Sequence, residues 1–335
     1  KLVVDRDAPA AAQRIALKLV RGVGKVTLER LRIDGGEAGL RLVDLLDPIS
    51  VSRGDPLWGL DCEEYVVLDT ETTGVDPQHD EVIEVGAVRV RCGEMVETFE
   101  ALIRPEGTVG DSEAVHGISD ARLAEEGQSP AEVFSAFQDF IGDTPVAGHN
   151  VRFDLRMLTA HSQRVGATMT FGDHFDSLRY ARRLLREDSY RLGDLCEKLA
   201  LPAEATHRAL DDVKTTVHLF FHLAAIAQGG RAIRRGLMHH HAPAFEKLRL
   251  TLDRWAGLGE RPGVLIHRIL HEGGLLAYYR RRVDKNRLAN LESLSPRIAS
   301  LDDPELGPIE AARKALDGTA LARDQDLLDQ ADGVR

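Results

Sequence analysis

The chain has 335 residues, 43% of them hydrophobic, which is enough for two domains with buried cores. Its 43 Lys and Arg against 54 Asp and Glu give a formal net charge of −11, and no run approaches the ~18–20 apolar residues a membrane span needs. The charged start KLVVDRDAP has no signal-peptide pattern, and Cys62, Cys92 and Cys196 lie far apart, as suits reduced thiols in a cytoplasmic protein rather than a disulfide framework or a zinc site. The missing initiator Met is expected of a segment of a longer protein.

Residues 1–60 are expected to be helical: AAQRIALKLV is amphipathic, RGVGK is a Gly-rich turn, TLERLRI follows, and DPISVSRGDPLWG reads as a connection. From Tyr65 the pattern becomes α/β. YVVLD is a short apolar run ending in an acid, as for a buried central strand. EVIEVGAVRV and MVETFEALI are further strands, with the turn placed at 93–94. TPVAGHN and, more weakly, DHFDS are short strands, and helices are predicted near 130–141, 151–163, 176–187, 191–200 and 208–227. Three strands followed by alternating helix and strand is the order of an α/β, ribonuclease H-like domain with a mixed sheet. After Gly230 the chain is again helical to about Ser300, and an acidic tail follows from 301 to 335.

Charge is unevenly spread. Residues 64–228 hold 15 basic and 29 acidic side chains, whereas 229–300 hold 14 basic and 6 acidic. An acidic block suited to cations thus adjoins a basic block suited to phosphates. Two ordinary soluble domains with uneven surfaces would show the same imbalance.

Three short motifs carry the chemistry. In VVLDTETTG (66–74), Asp69 and Glu71 stand two apart at a strand end, so the strand's period of two sends both side chains to one side. Carboxylates aimed into one space repel unless a cation joins them, and an all-oxygen set points to Mg²⁺ or Mn²⁺. Solvated acids at a strand-end turn are the plainer alternative. In VAGHNVRFDL (146–155) a short strand leads through Asn150 into a helix whose first turns carry Asp154, a place where any acid is favoured by the helix dipole. In HRALDD (207–212), His207 precedes or opens a helix that carries Asp211 and Asp212; a neutral imidazole there could accept a proton from water, or merely cap the helix.

Together DTETTG, AVHGISD (114–120), GHNVRFD and HRALDD occur in the order of the DnaQ-like DEDDh exonucleases, and residues 64–228 resemble that family. The resemblance implies a metal-dependent 3′→5′ exonuclease that releases nucleoside 5′-monophosphates. It implies two Mg²⁺ or Mn²⁺ held by Asp69, Glu71, Asp154 and Asp212, with His207 as general base. The family spacing His-x-x-x-x-Asp selects Asp212 over Asp211, and family members contact the terminal nucleotide through positions that fall here at Thr72, Val115 and His116. Sugar preference is not legible, so RNA remains an alternative to DNA.

The flanks resemble something else. VRGVGKVTLERL (20–31) is similar to the Gly-x-Gly turn of the 2B subdomain of UvrD/Rep-type helicases, and 264–294 is similar to a later part of that subdomain. The resemblance implies that Gly22, Gly24, Lys25 and Thr27 meet duplex DNA phosphates, that 1–60 and 229–300 form one helical domain interrupted by the nuclease, and that helicase motor domains are partners. A regulatory arm without catalysis is the alternative. GVGKV lacks the spacing and hydroxyl of an ATP phosphate loop, so no motor is expected here. Three further features stand out: Arg179, Arg182, Arg183 and Arg186 at the spacing of one helical face, His239–His241 expected in a surface loop, and Tyr278–Tyr279, of which at least one is expected in a core.

Overall fold

The computed structural model describes residues 1–5, 8–202, 208–283 and 285–317. The chain divides into two compact units, one made of Lys1–Gly36, Leu40–Pro56 and Ile233–Arg335, the other of Glu37–Gly39 and Leu57–Ala232. In the first unit, α1 (Pro9–Leu19) starts on a proline whose fixed φ suits the first helical position and buries Ala12 and Ala16, one turn apart. The expected Gly-rich turn is present: Gly22 takes φ 82° and an extended Gly24 opens α2 (Lys25–Arg30). Gly22, Gly24 and Lys25 are exposed and Thr27 is half-buried. Helix α3 (Pro48–Arg53) is capped by Asp47, which accepts from the Ser50 N–H at 2.9 Å, and ends on left-handed Gly54.

The second unit is built on a sheet of β1 (Glu64–Thr72), β2 (Val82–Arg91), β3 (Glu94–Leu102), β4 (Val146–Gly148) and β5 (His174–Asp176), in the order β3-β2-β1-β4-β5. The first three strands pair antiparallel, and β4 and β5 join in parallel. This is the mixed ribonuclease H-like sheet expected from the sequence. The β2–β3 turn is Cys92–Gly93, at φ 51° and 81°, one residue earlier than expected; two positive φ values in a two-residue loop match the twist of a hairpin.

Helices α4 (Glu113–His116), α5 (Asp120–Glu126), α6 (Pro130–Ile141), α7 (Arg152–Arg164), α8 (Ser177–Leu184), α9 (Leu192–Lys198) and α10 (Ala209–Gly257) follow in the chain. Alternation along β1 assigns its two faces. Val66 and Leu68 pack with Phe134 and Phe137 of α6 and Met157 and Leu158 of α7. Tyr65 and Val67 pack with Tyr180 of α8, Leu195 of α9 and Val213, Val217 and Phe220 of α10. Each such side chain taken from water contributes roughly 1.5–3 kcal/mol. The expected row of four arginines is not one face: α8 stops at Leu184, where Leu185 turns extended, Arg186 lies beyond it, and Arg183 is buried.

The helix expected over 208–227 does not stop at Gly229–Gly230. As α10 it runs unbroken for 49 residues to Gly257, through Pro243, and His239–His241 lie within it rather than in a loop. An interior Gly costs about 1 kcal/mol and an interior Pro about 3; the buried Met238, Phe245, Leu252 and Trp255 on this stretch offset both. Helices α11 (Pro262–Glu272), α12 (Leu275–Arg281) and α13 (Lys285–Ala299) complete the series with residues 308–317, which are helical and bury Ala311, Ala312 and Ala315. The first part of the acidic tail therefore packs; residues 318–335 lie outside the described residues. Tyr279 is buried as expected of one of the pair, and Tyr278 lies under the Arg282 guanidinium at 4.5 Å.

The core of the first unit is shared by both ends of its sequence: Leu2, Ala12, Leu28, Leu45 and Leu46 from one, Met238, Phe245, Trp255, Leu265 and Ala312 from the other. Asp55 and Arg234, both fully buried, close this unit with paired bonds at 2.8 and 3.1 Å. Among the described residues no helix is long and apolar enough to cross a membrane, and Cys62, Cys92 and Cys196 form no disulfide.

Candidate active site

The strand periodicity that sorts the core also sorts the acids. Asp69 and Glu71 follow Tyr65 and Val67 along the face of β1 that meets α10, whereas Thr70 follows Val66 and Leu68 toward α7. On β2, Gly86 stands opposite Asp69, and Glu84 opposite Glu71. A Cβ at Gly86 would lie 2.5 Å from the Leu210 N and 2.6 Å from the Ala209 carbonyl carbon. Only glycine lets the first turn of α10 lie directly on the strand, and that turn carries Asp212. Carboxylate oxygens of Asp69, Glu71 and Asp212 consequently gather within 4.8 Å of one another. Asp211 points elsewhere and pairs with Lys214 at 3.3 Å.

Asp154 arrives from the other face. The chain leaves β4 through Asn150, which adopts φ 68°, a left-handed turn that asparagine tolerates better than most residues. The Asn150 N–H donates to Asp176 at 2.9 Å, and Asp176 also caps α8. His149 is held by Ser177 Oγ at 2.8 Å and the Tyr190 carbonyl at 2.9 Å. This fixes the start of α7, whose first turn carries buried Asp154. Thr70 donates to Asp154 Oδ1 with its N–H at 3.1 Å and its Oγ1 at 2.8 Å. Asp154 is thus docked on the strand residue between Asp69 and Glu71, with its charge felt by Asp69.

The electrostatics are those of crowded acids. Burial, then the charges of Asp154, Glu71, Asp212 and Glu84, push the Asp69 carboxyl well above the ordinary range. Burial, then Glu84, Asp212 and Asp154, push Glu71 up to about 8, against the opposing charge of Arg208. Burial raises Asp154 to about 7 despite the stabilising bonds from Thr70. An all-oxygen cluster in which each member opposes ionisation of the next is a donor set for hard divalent cations, which relieve that repulsion.

Of the other residues singled out in the sequence, His207 lies outside the described residues. Thr72 ends β1 beyond a register shift and turns its Oγ1 to the Gly74 carbonyl at 2.6 Å. Val115 is 68% exposed on α4. His116 is buried: its Nδ1 accepts from the Ile118 N–H at 3.0 Å, which leaves Nε2 as the donor to Ser112 Oγ at 2.9 Å. Gly22, Gly24, Lys25 and Thr27 belong to the helical unit. Sequence reasoning placed Asn150 at the entry to the helix but missed Thr70, Glu84, Gly86, Asp176 and Arg208. The signal for Glu84 and Gly86 was an acid and a glycine inside an apolar strand, EVIEVGAV.

Comparison with known proteins agrees with this geometry. Residues 66–220 match the RNase_T exonuclease family. The chain is 39% identical over 157 residues to the DNA polymerase III PolC-type of Thermotoga maritima, a stretch that is 47% of this chain and 11% of that one. It is 29% identical over 237 residues to the PolC-type polymerase of Bacillus subtilis, 70% of this chain and 15% of that one. The chain therefore spans a small part of the curated relatives it matches. Among solved structures, exonuclease X in complex with 5′-overhanging duplex DNA aligns with 49% of this chain and 99% of its own, at 24% identity and a TM-score of 0.39. Escherichia coli exonuclease I in complex with a dA16 oligonucleotide aligns with 54% and 44%, at 18% identity and a TM-score of 0.45. The matched segment is an exonuclease domain with a ribonuclease H-like fold. It is DnaQ-like in the order of its motifs and in its sheet.

Proposed function

We propose that this domain removes nucleotides from the 3′ end of a DNA strand, releasing nucleoside 5′-monophosphates. The observation that carries the reading is the gathering of Asp69, Glu71 and Asp212 within 4.8 Å, beside a docked Asp154, in a segment that matches exonucleases. Asp69, Glu71, Asp154 and Asp212 would hold two Mg²⁺ or Mn²⁺; when bound, these supply positive charge that acidifies an attacking water and stabilises the departing 3′ oxygen. Thr70 holds Asp154 in register with the strand. His207 accepts the proton of the attacking water. Thr72, Val115 and His116 contact the terminal nucleotide, Thr72 through its backbone and Val115 and His116 as a pair. DNA is favoured as the substrate because the relatives at the highest identities reported above are DNA polymerases.

The setting of the domain is a separate proposal. The helical unit resembles a helicase 2B subdomain in sequence, through Gly22, Gly24, Lys25 and Thr27, and would hold duplex DNA beside helicase motor domains. That resemblance rests on the flanking sequence alone, while the relatives reported above are PolC-type polymerases.

The test is hydrolysis of 3′- and 5′-labelled single-stranded and duplex DNA and RNA, with Mg²⁺, Mn²⁺ or EDTA. Asp154→Ala is expected to lower turnover by more than roughly 100-fold, since loss even of a residue that only supports a metal ligand costs about 10–100-fold. His207→Ala is expected to lose roughly 10²–10⁴-fold in rate and to lose the rise in rate through the histidine's titration. Full activity in EDTA, or near-normal hydrolysis by Asp154→Ala, would refute the reading.

A further inference from the structure

Glu84 is a fully buried acid in the middle of β2, facing α10 beside Gly86 and opposite Glu71. Burying a carboxylate among others is costly unless it is paired and hydrogen-bonded. Among the described residues, the donors that meet Glu84 come from one place. Arg208 Nε and Nη2 donate to Oε1 at 2.8 and 2.5 Å, and the Ala209 backbone N–H donates to Oε2 at 3.1 Å. Arg208 also reaches Glu100 of β3 at 2.9 Å.

We infer that Glu84 is a positioning residue of the nuclease: it is the socket that fixes the chain at Arg208–Ala209, and thereby sets Asp212. The inference deepens the proposed function and rests on it. Three features distinguish this from an ordinary core ion pair. The Ala209 N–H is one of the unpaired donors at the start of α10, so Glu84 caps that helix as well as pairing the arginine. The fixed residues stand next to His207 in the chain and one turn before Asp212, so a slip here moves the region assigned to both roles. The arginine also tempers the cluster, since its charge opposes the rise in the Glu71 carboxyl that Glu84 itself helps to cause. With both oxygens engaged by donors from this segment, Glu84 is held out of the cation set and serves the acids that form it.

The experiment compares wild type, Glu84→Gln, Arg208→Gln and the double variant. Turnover of a short 3′-labelled oligonucleotide is measured at saturating Mn²⁺, and Mn²⁺ affinity is measured by calorimetry without substrate. A side chain that supports a ligand is worth roughly 10–100-fold. Each single variant is expected to lose about that much in kcat and to bind Mn²⁺ more weakly, with KM for the oligonucleotide changed by less than about 3-fold. The double variant is expected to be no worse than the poorer single one, because the pair acts as a unit. Arg208→Lys, which keeps the charge but loses the two-point grip, should fall between, and serves if the glutamine variants do not fold. Wild-type kcat and Mn²⁺ affinity in Glu84→Gln would overturn the inference, as would losses that simply add. If the wild-type protein itself fails to degrade the oligonucleotide with Mn²⁺, the proposed function has failed instead.

Discussion

Asp69, Glu71 and Asp154 pay for their proximity in stability, and that cost can be measured. An acid whose pKa is raised by folding binds its proton more tightly folded than unfolded, so folding becomes less favourable as pH rises. For Glu71 the cost is absent below the ordinary carboxylate range, grows above it, and is complete above about 8. The metal-free protein is expected to melt at lower temperature as pH rises from 5 to 8.5, and Mn²⁺ should restore it most at the upper end. Asp69→Asn should raise the metal-free melting temperature at pH 8, by roughly 2–4 °C for each kcal/mol of repulsion removed, while abolishing turnover. A melting curve for Asp69→Asn that matches wild type at every pH would show that the acids do not repel as described.

Elements meet at this site because of one glycine. With Leu210 N only 2.5 Å from where a side chain would begin, Gly86→Val must push α10 off β2. Overpacking of this kind costs about 1–3 kcal/mol, and a 1 Å displacement of a catalytic group can cost about 100-fold in rate. Gly86→Val is therefore expected to lose activity well beyond its loss of stability, whereas Gly193→Ala on α9, with open space around it, should match wild type in both. The sequence made the strands, most helices and the acid-bearing motifs legible because hydrophobic period and turn residues are local signals. The β1 and β2 runs, the β4 strand before Asn150 and the helix carrying Asp154 all follow from such signals. The unbroken course of α10 was not legible: Gly229, Gly230 and Pro243 read locally as breaks, and only tertiary burial of Met238, Phe245 and Trp255 overrides them. Nor were the partners of Glu84, since a bond to Arg208 spans 124 positions that no spacing encodes.

For the whole chain, charge is the lever. The proposal that the flanks hold duplex DNA rests on the basic balance of 229–300 beside the acidic segment 64–228, and on exposed Gly22, Gly24 and Lys25. Each phosphate contact releases counterions, so duplex affinity should fall with salt by a log–log slope near −0.9 per contact. Lys25→Glu should weaken duplex binding and reduce that slope by about one, while leaving cleavage of a very short single strand unchanged. Unaltered duplex affinity would make the turn a structural feature only.

The divided make-up of the helical unit also bears on how the protein is born. Asp55 lies 179 positions before its partner Arg234, and the core around Leu45 and Leu46 needs Met238, Phe245 and Trp255. On the ribosome residues 1–56 therefore emerge before the other half of their core. The second unit is nearly contiguous and can fold as soon as it is made, as domains synthesised first generally do. Until Arg234 appears, its paired bonds to Asp55 cannot form, and the apolar faces of the early helices lack the other half of their core. The interval for which a chaperone has most to hold is thus the time the ribosome takes to write the nuclease.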